Sequence, residues 1–113
     1  LAPRVTTFVD ARVRQHEATG PMARFMRSRA LEVSEVDATL HRLRATQADQ
    51  VRLHFDDELA ALTRARRDDV VATVATLTSF EAWDQCVVDH ERTGAQIRRA
   101  WSTALTRLLD PAD

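Results

Sequence analysis

Residues 77–84 read LTSFEAWD and, after a short break at Thr93-Gly94, residues 97–101 read IRRAW. These two segments hold both tryptophans, Trp83 and Trp101, and in each the apolar residues recur at helical spacing. A helix that is apolar on more than one side has to be covered on both sides. The stretch therefore predicts two adjacent helices, with one apolar stripe packed inside the chain and another against a second subunit.

Composition limits the rest of the chain to a helical domain of modest size. The 113 residues include only two glycines and three prolines, with 44% hydrophobic and 29% charged residues. Such a mixture favours helices and excludes a β-sandwich or a disordered tail. We therefore expect one all-α domain over residues 1–113, folded as a five-helix bundle.

Proline, glycine and capping residues predict the bounds of the first three helices. The first helix begins near Pro3 and is stopped by Gly20-Pro21, where the second begins. The sequence Ser34-Glu35-Val36-Asp37 resembles a capping box, in which the serine side chain accepts a hydrogen bond from a free backbone amide of the first turn. A long third helix follows, and its apolar stripe includes Leu40 and Leu43 and runs as far as Leu62.

The last two helices are predicted in the same way. After a turn at residues 63–65, Asp68 and Asp69 suit the positive end of a fourth helix that runs to about Glu91. Thr93 with Gln96 three positions later forms a second capping-box pattern and opens the final helix, which Pro111 ends.

The charged residues and the single cysteine narrow the possible partners and the compartment. All 16 basic residues are arginines, the net charge is −1 and the pI is about 6.5, so no basic face suited to duplex DNA is expected. A lone cysteine, Cys86, excludes an internal disulfide and suits a reducing cytoplasm. The sequence has no signal peptide and no apolar run of membrane-spanning length, so we expect no membrane partner.

Three segments together resemble the C-terminal domain of TetR-family transcriptional regulators. They are residues 8–14 with His16-Glu17 and Pro21; Phe55 with Glu58-Leu59 and Leu62; and residues 78–84 with the Thr93-capped helix and residues 98–101. Two positions depart from the family pattern, because His16 stands where an aromatic residue is frequent and Glu91 lies near a usual turn glycine.

The resemblance implies the effector-binding and dimerisation domain of a ligand-responsive repressor. Its last two helices would pair with those of a second copy to form a dimeric four-helix bundle. The helix-turn-helix domain of the family is absent from these 113 residues, which begin at Leu1 without an initiator methionine. We therefore expect a piece of a longer protein, which reaches operator DNA only through its missing N-terminal domain.

Residues on the helix faces are candidates for the effector pocket. Methionine and phenylalanine provide an adaptable apolar wall, and a few polar groups, with Glu81 as a further candidate, orient a small apolar or amphipathic ligand. The candidates are Phe8, Arg12, Met22, Phe25, Met26, Gln47, Phe55 and Thr78. The alternatives are a packed core for the apolar members, an ion pair of Arg12 with Glu17 or another acid, and a bond from Thr78 back to its own helix.

A second set of residues is predicted at the homodimer interface, with Trp83 and Trp101 as anchors. The set comprises Phe80, Trp83, Val87, Ile97, Trp101, Leu105 and Leu108. The competing interpretation is an intrachain core, and we expect both to apply, with an aromatic face turned outward.

Catalytic and metal-binding patterns do not occur in the sequence. It has no nucleophile motif, phosphate loop or dinucleotide fingerprint, and no pair of histidines four residues apart. His54 and the carboxylate of Glu58 have such a spacing, and an exposed contact is the simpler interpretation. We expect no enzyme activity, metal or cofactor. Two alternatives stay open: a ligand-free helical dimerisation or adaptor module, and a small-molecule enzyme, which would require a cluster of ionisable residues facing one cavity.

Overall fold

A computed structural model of the chain describes residues 1–111, which contain six α-helices and no β-strand. The all-α prediction is confirmed, although the number of helices differs from the five expected. The helices are α1 (Ala2–Ala30), α2 (Ser34–His54), α3 (Asp56–Ala60), α4 (Arg64–Leu77), α5 (Phe80–Val88) and α6 (Gly94–Leu108). Within residues 1–111, no helix combines the length and apolar character that a membrane crossing requires.

The first two predicted helices are one continuous helix, so the expected stop at Gly20-Pro21 is wrong. Pro21 lies inside α1, and Gly20 is buried. A proline removes one hydrogen bond from a helix, but tertiary packing can outweigh that loss. A Cβ added at Gly20 would lie 3.8 Å from the Trp83 ring and 4.0 Å from the Phe80 ring, so α1 packs closely against α5 at this point.

The predicted third helix begins without its serine cap and is interrupted near its end. Val33 occupies the cap position of α2 in an extended conformation, and Ser34 is already helical, so its side chain caps nothing. At the other end Phe55 leaves helical geometry with φ −108° and ψ 29°. Three acidic residues, 56–58, follow in the first turn of α3, where the positive end of a helix dipole favours them.

The predicted fourth helix is divided into α4 and α5. Thr63 caps α4, whose first turn contains no acidic residue, because Asp68 and Asp69 lie one turn further along. Ser79 caps α5 by accepting a hydrogen bond from the Ala82 amide at 3.2 Å. The local serine cap thus competes with helix continuation and gives a break that the apolar pattern does not reveal.

The start of α6 follows the sequence prediction. The Gln96 amide donates to the Thr93 hydroxyl at 3.2 Å, and the Thr93 amide donates to the Gln96 side chain at 2.9 Å, which confirms the capping box. In the turn before it, Glu91 has φ 51°. This left-handed conformation favours glycine over a residue that carries a side chain.

The apolar core lies around one part of α1 only. Residues 5–20 of α1 pack against α2 on one side and against α5 and α6 on the other. Beyond Gly20 the antiparallel hairpin of α1 and α2 continues, but Leu40 is the only buried residue between positions 21 and 50. We call residues 21–50 the hairpin end.

Candidate functional site

An apolar groove of about 260 Å³ lies between the hairpin end and the beginning of α5. We call it the methionine groove. Its lining consists of Gln15, Thr19, Met22, Ala23, Met26, Arg27, Leu40, Leu43, Arg44, Gln47, Phe80 and Glu81. The α1 members recur every three or four residues, so they form one face of the helix. The arrangement is an apolar floor with polar side chains at its edge, which suits a small amphipathic molecule.

The charged edge of the methionine groove is organised by Glu81. Its Oε1 accepts a hydrogen bond from Arg44 Nη2 at 2.7 Å and lies 3.5 Å from Arg27 Nε, so it links α5 to both helices of the hairpin. Burial raises the pKa of the Glu81 carboxyl, but the hydrogen bond from Arg44, a backbone hydrogen bond and the two positive charges outweigh burial and hold the pKa below its ordinary value. Arg24 pairs with Asp84 at 2.7 Å nearby.

A second groove, of about 410 Å³, lies further toward the N-terminus of α1. We call it the arginine groove. Its lining consists of Phe8, Ala11, Arg12, Gln15, Gln50, Leu53 and His54. Gln15 therefore borders both grooves. The His54 Nε2 atom is 2.9 Å from the Arg4 carbonyl oxygen, and the rings of His54 and Phe8 are 5.4 Å apart.

Arg12 is the unusual member of the arginine groove. Its side chain is 4% exposed, and its Nη1 donates hydrogen bonds to the side-chain oxygens of Gln50 at 3.1 Å and Gln15 at 3.3 Å. Its guanidinium carbon lies 4.9 Å from the centre of the Phe8 ring. Burial lowers the pKa of the Arg12 guanidinium. The ion pair with Glu17 is not formed, since Glu17 lies 3.7 Å from Arg98 instead.

The eight predicted effector-binding residues do not line a single pocket. Met22, Met26 and Gln47 line the methionine groove, whereas Phe8 and Arg12 line the arginine groove. These five residues are therefore divided between two grooves, because α1 passes along both and presents different residues to each.

The other three predicted ligand residues lie outside both grooves. Phe55 is fully buried in the core, and Phe25 is 63% exposed on the outside of α1. Thr78 is also buried; its hydroxyl donates to the Val74 carbonyl at 2.8 Å, which is the bond back to its own helix.

Sequence reasoning missed several residues of the methionine groove. Leu40 and Leu43 belong to the predicted apolar stripe of the long helix, and Phe80 was expected at the dimer interface. Helical spacing identifies such a face but does not indicate whether another element covers it. The sequence pattern contains no indication that the hairpin end is left uncovered by other helices.

Most of the predicted dimer-interface residues are buried within the single chain. Phe80, Trp83, Ile97, Trp101 and Leu105 belong to the core, whereas Val87 and Leu108 are half-buried at its edge. The expectation that an aromatic face is turned outward is therefore wrong for the single chain, because these rings pack against α1.

The aromatic cluster surrounds His16. The ring centre of His16 lies 5.9 Å from that of Phe80, 6.0 Å from that of Trp83 and 6.2 Å from that of Trp101. The His16 Nε2 atom is 2.8 Å from the Thr78 carbonyl oxygen. Burial, together with the positive charge of Arg12, lowers the pKa of His16 and outweighs the hydrogen bond to Thr78.

Within residues 1–111, no group of three or more His, Cys, Asp or Glu side chains is placed to hold a metal ion. His54 and Glu58 both contact Arg4: His54 contacts its backbone carbonyl, and Glu58 contacts its guanidinium.

A comparison with known proteins finds no match: no protein-family model fits the chain, and neither a curated protein nor a solved structure is significantly similar to it.

Proposed function

We propose that this chain is the effector-binding and dimerisation domain of a TetR-like, ligand-responsive transcriptional repressor, and that the effector is a small apolar or amphipathic molecule. The methionine groove carries this proposal, because it combines an apolar floor with the polar edge formed by Gln47, Arg44 and Glu81. The family assignment rests on the sequence resemblance.

The groove suits a ligand that bridges the hairpin end and α5. Met22 and Met26 are long, flexible and polarisable, so they adjust their shape around different apolar molecules. The hairpin end has little core of its own, with Leu40 as its only buried residue. A ligand in the groove adds apolar contacts where the chain itself provides few, and it therefore stabilises one placement of the hairpin end.

The resemblance supplies the regulatory step. In that family an effector changes the relative placement of two helix-turn-helix domains, and the repressor leaves its operator. The effector must bind the released state more tightly, and allosteric coupling of about 1–3 kcal/mol changes DNA occupancy roughly 5- to 150-fold. Helix α1 is the natural transmitter, because its 29 residues pass along the groove and then through the core.

The proposed assembly is a homodimer joined through α5 and α6. Val87 and Leu108 are half-buried at the edge of the core, and neighbouring Val88 is 60% exposed. Apolar side chains left at the edge of a helical core are suited to complete a four-helix bundle with a second copy.

Binding of a neutral apolar probe tests the effector site. N-phenyl-1-naphthylamine should fluoresce more strongly with the wild-type domain, and Leu43→Trp should abolish this increase by filling the groove. Leu31→Trp is the matched control, because Leu31 is exposed and lies outside the groove. An equal loss in both variants, or no increase with the wild type, contradicts the proposed site.

Sedimentation equilibrium tests the homodimer separately. The wild-type domain should sediment as a dimer, and Val87→Arg should give a monomer with an unchanged circular dichroism spectrum. A wild-type monomer contradicts the proposed interface. A dimer that binds no probe supports the ligand-free dimerisation module instead.

A further inference from the structure

We propose that the arginine groove is a binding site for a small organic carboxylate, whose anionic group pairs with Arg12 and whose apolar chain lies along Phe8 and Leu53. This site is distinct from the methionine groove and does not depend on the regulatory function proposed above.

The first argument is a buried positive charge without a negative partner. Arg12 is 4% exposed, yet it takes part in none of the ion pairs within residues 1–111. Both of its hydrogen-bond acceptors, on Gln15 and Gln50, are neutral amides. Buried charges in proteins are normally paired, because desolvation strongly disfavours a lone ion. An anion in the adjoining groove supplies the missing partner.

The second argument concerns the N–H groups of Arg12 that donate no hydrogen bond within the described chain. A guanidinium has five N–H donors, and the hydrogen bonds of Arg12 within the described chain use Nη1 alone. Nε and Nη2 are not among the buried polar atoms that lack a partner, so neither is sealed from solvent. These two nitrogens form one edge of the guanidinium, which matches the two oxygens of a carboxylate.

The third argument concerns the remaining walls of the groove. No acidic side chain lines it, so nothing there repels an anion. Leu53 is 81% exposed and Ala11 is also exposed, whereas Phe8 is 7% exposed and borders the groove only with the accessible edge of its side chain. The groove has a single guanidinium, which matches the one charge of a carboxylate better than the higher charge of a phosphate monoester. A short aliphatic acid has one negative charge for the guanidinium and an apolar chain for the apolar surface.

Hexanoate and its neutral isostere hexanamide test the assignment. We expect hexanoate to give saturable NMR shifts at the amides of Gln15, Gln50 and Leu53 in the wild-type domain. Hexanamide should bind about tenfold more weakly or worse, because it lacks the charge-assisted hydrogen bonds. Arg12→Gln should weaken hexanoate binding to the same extent.

Arg14→Gln is the matched control, because Arg14 lies on the same helix but is exposed, and within residues 1–111 its side chain bonds only to the Asp10 carbonyl. It removes the same charge and should leave hexanoate binding unchanged. Equal binding of hexanoate and hexanamide, equal losses in the two variants, or the same shifts with chloride at matched ionic strength overturns the proposal. If Arg12→Gln fails to fold, the comparison of the two ligands on the wild type still decides. If hexanoate displaces the neutral naphthylamine probe, the carboxylate binds in the methionine groove, and this result also overturns the proposal.

Discussion

The two halves of α1 differ in what covers them, although they belong to one continuous helix. Seven residues between Val5 and Gly20 are buried, whereas no residue between positions 21 and 30 is. Residues 5–20 of α1 are enclosed by α2, α5 and α6. We call this packed region the closed end. The structural role of a helix face is therefore set by the elements that cover it and not by its own apolar content.

The forces at the two ends differ accordingly. At the closed end aromatic rings pack around His16, and its Nε2 lies 2.8 Å from the Thr78 carbonyl oxygen. At the hairpin end, ion pairs such as Arg44 with Glu81 and Arg24 with Asp84 hold the hairpin to α5. Ionic screening does not weaken apolar burial, whereas exposed ion pairs are weak and are screened by salt. Mutations should therefore have large effects at the closed end and small ones at the hairpin end.

Truncation of Trp101 tests the largest expected difference. Trp101→Ala removes a buried indole from the core and should lower the free energy of unfolding by about 3–5 kcal/mol. Met22→Ala, at the hairpin end where Met22 is exposed, should lower it by less than about 0.5 kcal/mol. Urea denaturation followed by circular dichroism measures both. Similar losses in the two variants would remove the distinction between the ends.

The pH dependence of stability tests the closed end through His16. Burial is the main cause that lowers the pKa of His16 in the folded state below its ordinary value of about 6.5. Below about pH 6.5 the unfolded state therefore binds a proton that the folded state does not bind. Stability should therefore fall as the pH drops from about 6.5 towards the folded-state pKa, and this group should contribute no further loss below it.

His16→Gln isolates this contribution, because an amide can still donate to the Thr78 carbonyl but does not titrate. Urea denaturation at several pH values should show a shallower loss for this variant between pH 7 and 5. A wild-type slope in His16→Gln means that other groups cause the acid sensitivity.

Removal of the Glu81 charge tests the ion pairs of the hairpin end. Glu81→Gln weakens the contacts to Arg44 and Arg27 and should cost about 1 kcal/mol or less, since all three side chains are partly exposed. The cost should shrink in 1 M salt, where the screening length falls to about 3 Å. Glu32→Gln, which removes an exposed pair with Arg29 outside the groove, should have no measurable effect. A loss that salt does not change would indicate packing and not charge.

The fold was more predictable from the sequence than the grooves were. The all-α class and the Thr93 capping box depend on local chemistry, and both are confirmed. The continuous helix through Pro21 and the breaks at Phe55 and Ser79 depend on tertiary packing or on competing local caps, which apolar periodicity does not encode.

The candidate site was only partly predictable for a related reason. Met22, Met26 and Gln47 were identified from helix faces, but Leu40 and Leu43 carry the same pattern as a buried stripe. Whether such a stripe faces a groove or a core depends on the distance to the next helix. Likewise, the sequence identified Arg12 as polar on an apolar face, but its lack of an acidic partner is visible only once the other ion pairs are placed.

The turn between α5 and α6 gives the smallest expected effect, and its backbone is strained at Glu91. Glu91 has φ 51°, a conformation that costs a side-chain-bearing residue about 1–2 kcal/mol, whereas glycine adopts it freely. Because glycine also gains entropy in the unfolded chain, Glu91→Gly should raise the free energy of unfolding by only about 0.5–1 kcal/mol. Asp89→Gly, two residues earlier in right-handed geometry, should lower it by a similar amount. Urea denaturation of both variants checks the opposite signs, and a loss in both would mean that α6 and the core do not impose the left-handed turn.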